Sequence, residues 1–440
     1  MSRVVDRYLR DWAEPEVGLV PMVQGAWHRV LAIPACSETD GLLHTLRSLA
    51  AVGAGTTLVV VVVNAAQDAP DHFHERNEIC LRLLSHNLAP LTALPGGTGF
   101  LGRIDGLDVL CLDRASPARR LCEGQGVGLA RKIGADLALA LVRGGRVEQP
   151  WLWMTDADVL APAGYFDVEA SVPPAAAFTV PFTHVLPVDA GQAQAARLYD
   201  ISLRYYVLGL AAARSPYAYA TVGSTVVAHA EAYAKVRGFP RRNAAEDFYL
   251  LGKLAKVGGI YRAGGPALKV EARVSDRVPF GTGAAITKLQ ADEAARRGFA
   301  LYDPRVFDEL AVWLRALDRA GVSGDAVAFR AEVDAASALG PETRAEIGLR
   351  LGVQRALSNA ARSSGKAEVR VRHLRTWFDA FRTLKFIHAL RELAWPSLGW
   401  QTALARAPFV PAGGESLQDA HQRVLAADRR LEGVLVGPDA

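Results

Sequence analysis

The sequence predicts an α/β protein: a mainly parallel sheet flanked by helices, followed by a C-terminal helical extension. Three observations carry this. Short apolar runs recur with helical stretches between them, the most apolar run is continuous, and beyond residue 300 the pattern turns mainly helical. A strand that is apolar at every position needs cover on both faces, which parallel sheets provide. Strand, helix, strand within the first 65 residues then opens a doubly wound fold.

Residues 30–34, Val-Leu-Ala-Ile-Pro, read as the first buried strand, ending in Pro34. The polar loop Ala35-Cys36-Ser37-Glu38-Thr39-Asp40 leads into a helix with Leu42, Leu43, Leu46 and Leu49 at helical spacing. Residues 58–63 form a mostly β-branched run that stops at Asn64. Residues 65–89 read as helical, and the Gly-rich turn at 95–99 leads to a third strand at 107–113. A helix at 126–143 and a fourth strand at 150–155 follow. Residues 176–181 read as a strand, 197–210 as helical and 219–228 as extended. An amphipathic helix at 244–257 carries Phe248, Leu250, Leu251, Leu254 and Ala255 and closes at Gly258-Gly259. The expected organisation is an N-terminal segment (1–27), an α/β domain (28–300) and a helical extension (301–440).

With 440 residues, half of them apolar, the chain can bury a sizeable core. A net charge of +4 gives no case for nucleic-acid binding. Cys36, Cys80, Cys111 and Cys122 lie far apart, without a C-x-x-C pair, and read as thiols rather than a disulfide or zinc framework. Residues 1–16 lack an apolar signal core, and the run at 58–63 is too short to span a bilayer, so the chain reads as cytoplasmic. Arg370, Arg372, His373, Arg375, Arg382 and Lys385 alternate with apolar residues. That pattern could lie peripherally on a membrane or form a core helix with a solvated face.

The sharpest chemical feature is Asp156-Ala157-Asp158, directly after the apolar strand. Ligands of open α/β sheets bind at the C-terminal ends of strands. In extended backbone, residues i and i+2 point the same way, so both carboxylates would share one hard cation, Mn²⁺ or Mg²⁺, together with phosphate oxygens. The second feature is Glu246-Asp247 at a helix start. Acids there suit the helix dipole, and one could also be a general base towards an attacking hydroxyl. Arg131 and Lys132, inside the small-residue stretch 126–134, could face phosphates. Arg273 and Arg277 stand in a Gly-punctuated loop and could hold a diphosphate with their forked donors.

Taken in order, Pro34 with Glu38, Asn64, the 126–134 segment, Asp156-Ala157-Asp158 and Glu246-Asp247 resemble family 2 glycosyltransferases of the GT-A fold, over about residues 28–265. The resemblance implies transfer of a sugar from a nucleoside-diphosphate sugar to an acceptor hydroxyl, with a divalent cation. It puts Pro34, Ser37 and Glu38 against the nucleotide, Asn64 at the base, and Asp158 on the metal. Asp156 would contact ribose, sugar or metal, and Asp247 would be the base of an inverting reaction, a retaining one following if it stood off-line, while Glu246 would orient the acceptor or support Asp247. Gly223 and Ser224 would line the acceptor pocket. Ser37 stands where the family usually has Asn, Asn64 where it usually has an acid, and no His accompanies Asp276. A sugar nucleotidyltransferase is the nearest rival, but residues 34–40 contain neither the Gly nor the base its first loop needs. A non-catalytic sugar- or nucleotide-binding module is the other alternative, disfavoured by the intact Asp156, Asp158 and Asp247.

Overall fold

The computed structural model describes residues 2–273, 282–291, 296, 298–414 and 416–439. The chain forms two compact units: Met1–Pro187 with Thr221–Thr287, and Val188–Ala220 with Lys288–Ala440.

The first unit is built on a sheet whose centre is parallel. Strand β1 is Arg29–Ala35 and β2 is Thr57–Asn64. Strands β3 (Thr92–Ala93), β4 (Gly99–Ile104), β5 (Leu107–Arg114) and β6 (Trp151–Met154) follow. Next come β7 (Val159–Leu160), β8 (Ala177–Thr179), β9 (Phe182–Val185) and β10 (Val226–His229), then β11 (Ile260–Arg262) and β12 (Leu268–Glu271). Within this unit the main sheet runs β11-β8-β10-β6-β1-β2-β5-β4-β3. Strands β6, β1, β2 and β5 are mutually parallel, while β10 runs antiparallel to both neighbours. All eight residues of β2 are buried, as its continuous apolar pattern requires. Strands β7, β12 and β9 form a separate small sheet.

The helices of this unit include α1 (Arg3–Asp11), α2 (Asp40–Gly53), α3 (Asp71–Asn87), α4 (Val127–Arg143), α6 (Ala230–Lys235) and α7 (Glu246–Gly258). Helix α4 packs on β1, β2 and β6. A Cβ on Gly134 would lie 2.9 Å from that of Ala32, so glycine lets α4 approach β1 closely. The α/β architecture expected from the sequence is therefore the one observed.

Among the local differences from the sequence reading, two have a clear physical reason. Strand β4 was not expected, because Gly99 and Gly102 weaken its pattern. Gly99 is required there: its φ is +153°, and a Cβ would fall 1.9 Å from the Cys111 carbonyl oxygen on β5. Helix α5, Ala190–Ala212, begins seven residues before the expected 197. Its start is fixed by the Asp189 side chain, which accepts from the Gln192 N–H.

What positions the site is the strand order around β1. The chain leaves β1 for β2 on one side and returns later as β6 on the other. Such a reversal opens a crevice at the carboxyl ends of the two strands. The pairing supports this: β1 pairs with β2 along its whole length but with β6 only over Val30–Ala32. Pro34, which lacks an N–H to donate, lies beyond that shorter pairing.

Helix α5 belongs to the second unit, which is helical as expected after residue 300. Its core packs Trp313 edge-to-face against Phe329 and at a tilt against Phe386. The basic stretch at 370–387 is two helices, Ala367–Trp377 and Ala380–Leu393, separated at an N-capping Asp379. Arg370 is buried and donates to the carbonyls of Gly321, Val322, Ser364 and Gly365. Arg375 is paired with Asp318 and Arg382 donates to the Trp377 carbonyl. These three arginines are thus engaged within the protein. Among the described residues no helix is long and apolar enough to cross a membrane, and the four cysteines are free thiols.

Candidate functional site

The loop after β1 is set by a chain of hydrogen bonds. Ser37 takes φ +56°, a left-handed conformation unusual for a residue with a Cβ. Its N–H donates to Asn77 Oδ1 at 2.7 Å, and Asn77 Nδ2 donates to the Asn64 carbonyl at 3.0 Å. Asn64 Nδ2 in turn donates to the carbonyls of Ala35 and Val62 at 3.1 and 3.2 Å. The ends of β1 and β2 are thereby tied together through α3. Asn64 is buried, and its amide N–H₂ is directed to backbone. A side chain ending a fully buried strand satisfies local carbonyls first. Glu38, one residue past Ser37, is 1% exposed.

Asp156 and Asp158 leave the end of β6 as expected, but Ala157 and Asp158 form a turn into β7. The same-side rule for extended backbone therefore does not apply. Asp156 accepts from Arg131 Nη2 at 2.5 Å, and Asp158 accepts from Arg273 Nε at 3.0 Å. The turn is held from α2, where the buried Thr45 hydroxyl lies 2.9 Å from the Ala157 carbonyl. The same hydroxyl accepts the Val159 N–H at 3.2 Å.

Helix α7, Glu246–Gly258, brings in the second acidic pair. The residue before it, Ala245, has φ +59°, so the chain turns sharply into Glu246. Glu246 is buried and accepts from Arg131 Nε at 2.8 Å. Arg131 Nη1 donates to the Gly223 carbonyl at 3.3 Å. A Cβ on Gly223 would lie 2.3 Å from Arg131 Nη2, so glycine makes room for the guanidinium. Burial opposes the charge on Arg131, but Asp156, Glu246 and Asp247 outweigh it and keep the group protonated. Asp247 accepts the Phe248 N–H at 2.7 Å. Burial, and then the neighbouring Glu246 carboxylate, push its pKa up to about 7 against the pull of Arg131.

Lys132 was expected beside Arg131 at the phosphates, and the structure does not bring it to the acidic cluster. Successive helical residues point about 100° apart, and Lys132 faces the N-terminal segment instead. Its Nζ donates to the Tyr8 hydroxyl at 2.7 Å, the Trp12 carbonyl at 2.9 Å and Asp136 Oδ2 at 2.5 Å. Tyr8 and Tyr233 also donate to Asp136, and Arg241 forms a double hydrogen bond with Glu14. This network locks the N-terminal segment onto α4 and onto the turn before α7.

Arg273, two residues past β12, joins the last pair. It donates to Asp158 and also to Glu38. Burial opposes its charge too, and Asp158 and Glu38 overcome that. Arg277 and Asp276 lie outside the described residues.

The structure therefore gathers Glu38, Asp156, Asp158, Glu246 and Asp247 around two guanidiniums, Arg131 and Arg273. Five carboxylates against two arginines leave the site negative even with Asp247 protonated. Asp156 and Asp158 keep 31% and 16% of their side chains exposed. Among the described residues no three His, Cys, Asp or Glu side chains group closely enough to hold a metal ion by themselves, so a hard divalent cation here would take one or two of these carboxylates and draw its remaining ligands from phosphate and water. Gly223 is part of the cluster through Arg131. Ser224, beside it, is wholly buried. Thr45 and Asn77 were not expected from the sequence. Each is one polar residue on the apolar face of a helix, and that placement was the only signal.

No family model and no curated protein matches the chain. Among solved structures it is similar to S. aureus TarS 1-349, at 10% identity and TM-score 0.34, covering 92% of this chain and 89% of that one. It is similar to the same protein in complex with UDP, at 12% identity and TM-score 0.32, covering 92% and 90%. It is also similar to mannosyltransferase PcManGT from Pyrobaculum calidifontis, solved with GDP-Man and Mn²⁺. That pair shares 18% identity and a TM-score of 0.36, with 86% and 92% of the two chains covered. With TM-scores this low, the chemistry has to be read from the side chains of this chain.

Proposed function

We propose that this chain is a GT-A-type glycosyltransferase, which moves a sugar from a nucleoside-diphosphate sugar to an acceptor hydroxyl. The observation that carries the reading is Arg131. One buried guanidinium joins Asp156, at the end of β6, to Glu246, beside Asp247, although about ninety residues separate the two acidic pairs. A divalent cation supplies charge neutralisation for a departing diphosphate, and Asp156 with Asp158 would hold it. Arg273 adds forked donors next to Asp158.

Asp247 is the proposed base. A carboxyl with its pKa near 7 can accept a proton at neutral pH more readily than an ordinary Asp. As the acceptor oxygen bonds to the anomeric carbon, its proton passes to Asp247. The bond from that carbon to the diphosphate oxygen breaks, and its electron pair leaves with the diphosphate. One in-line displacement inverts the anomeric centre. Glu246, paired with Arg131, positions Asp247 and is not itself the base. Pro34, Ser37 and Glu38 form the rigid loop proposed to lie beside the nucleotide.

A transfer and donor-hydrolysis panel of nucleoside-diphosphate sugars, with Mn²⁺ or Mg²⁺, tests this. Turnover that needs metal and is lost in Asp247→Asn and Asp158→Asn is expected. No turnover of any donor, with no stabilisation by any nucleoside diphosphate plus metal, would overturn it.

A further inference from the structure

We propose that Arg273 occupies the place of the divalent cation in the ligand-free protein and exchanges with it, so that metal and diphosphate bind cooperatively. This rests on the glycosyltransferase reading above and deepens it.

The two arginines of the site are held differently. Arg131 is 5% exposed, sits within α4, and is fixed by two carboxylates and a carbonyl. Arg273 keeps 32% of its side chain exposed and is attached past the end of β12. It is therefore the guanidinium that can leave. Its partners are the ones a cation would want. Nε and Nη2 both lie 3.0 Å from Asp158 Oδ2, and Nη2 also binds Glu38. Glu38 is almost fully buried, and a cation beside it offsets the cost of burying a carboxylate.

A divalent ion arriving at Asp158 meets a guanidinium already on that oxygen, and the like charges repel. A diphosphate resolves the conflict. It offers Arg273 a bidentate anion, frees Asp158 for the metal, and is itself bridged by that metal. Linkage makes the effect reciprocal: if diphosphate strengthens metal binding, metal strengthens diphosphate binding by the same factor.

Mn²⁺ binding to the full-length protein, read from the electron paramagnetic resonance signal of free Mn²⁺, tests this without any turnover. Wild type, Arg273→Ala, Arg273→Met and Asp158→Asn are titrated with Mn²⁺ alone, with circular dichroism confirming the fold. Arg273→Ala and Arg273→Met should each bind Mn²⁺ about tenfold more tightly than wild type, a coupling of ordinary size. Adding UDP or GDP, with correction for Mn²⁺ held by free nucleotide, should tighten Mn²⁺ in wild type and much less in the arginine variants. Equal or weaker Mn²⁺ binding in both arginine variants, with Asp158→Asn still abolishing it, would overturn the exchange and leave the metal site standing. Mn²⁺ binding unaffected by Asp158→Asn, or absent from every variant, would overturn the site itself.

Discussion

Replacing Arg131 by Met removes a cation that spans the two acidic pairs while keeping much of its aliphatic bulk. Arg131 and Glu246 are 5% and 6% exposed, so Glu246 would be left as an uncompensated buried charge. Breaking a buried pair from one side costs about 3–5 kcal/mol. The contact with Asp156, which is 31% exposed, adds less than about 1 kcal/mol. A loss of about 4 kcal/mol is expected. At about 2–4 °C per kcal/mol for a domain of this size, that lowers the melting temperature by about 8–16 °C. The assay is thermal and urea unfolding of Arg131→Met, Glu246→Gln and the double variant at pH 7.5. Glu246→Gln in the Arg131→Met background removes the stranded charge, so the double variant should recover at least about 2 kcal/mol relative to additivity. A loss under about 1 kcal/mol for Arg131→Met, or strictly additive costs, would refute the idea that this guanidinium organises the site.

Other predictions follow from neighbouring geometry. Gly223→Ala puts a Cβ 2.3 Å from Arg131 Nη2, so it should cost about 1–3 kcal/mol and reduce turnover, measured by unfolding and initial rates. Asp247 loses its proton near pH 4 when unfolded and near pH 7 when folded, so it lowers stability as pH rises through that interval. Asp247→Asn should therefore gain stability over wild type at pH 8 but not at pH 4, and the wild-type rate should rise through about pH 7; a flat difference in stability across this range counts against the raised pKa. Ser37→Val places a β-branched residue at φ +56° and should cost about 1–2 kcal/mol, whereas Ser37→Gly should be near neutral, both read from urea midpoints. Thr45→Val removes the hydroxyl that holds the Asp156–Asp158 turn, and should weaken Mn²⁺ binding while costing only about 1–3 kcal/mol of stability.

The parallel centre of the sheet was legible because β1 and β2 are buried strands whose composition admits little else. Asp156, Asp158, Glu246 and Asp247 were legible because adjacent or alternate acids stand at the ends of clear elements. The choice between Arg131 and Lys132 was not. Helix α4 is buried nearly all round, so its apolar pattern has no phase that says which basic residue faces the crevice. The turn at Ala157 was hidden for a related reason: a short polar triplet fits extended and turned backbone equally well. The grouping of residues 188–220 with the second unit depends on contacts between residues far apart in sequence, which periodicity does not encode.

The network of Tyr8, Glu14, Lys132, Asp136 and Arg241 joins distant stretches of the sequence. Tyr8 meets a partner 128 residues away and Glu14 one 227 residues away. Contacts between residues so far apart close long loops, and the entropy of closing them is met only once the chain between is ordered. The cover over Lys132 and Asp136 therefore closes as a late event of folding, and it completes the packing of the helix that presents Arg131.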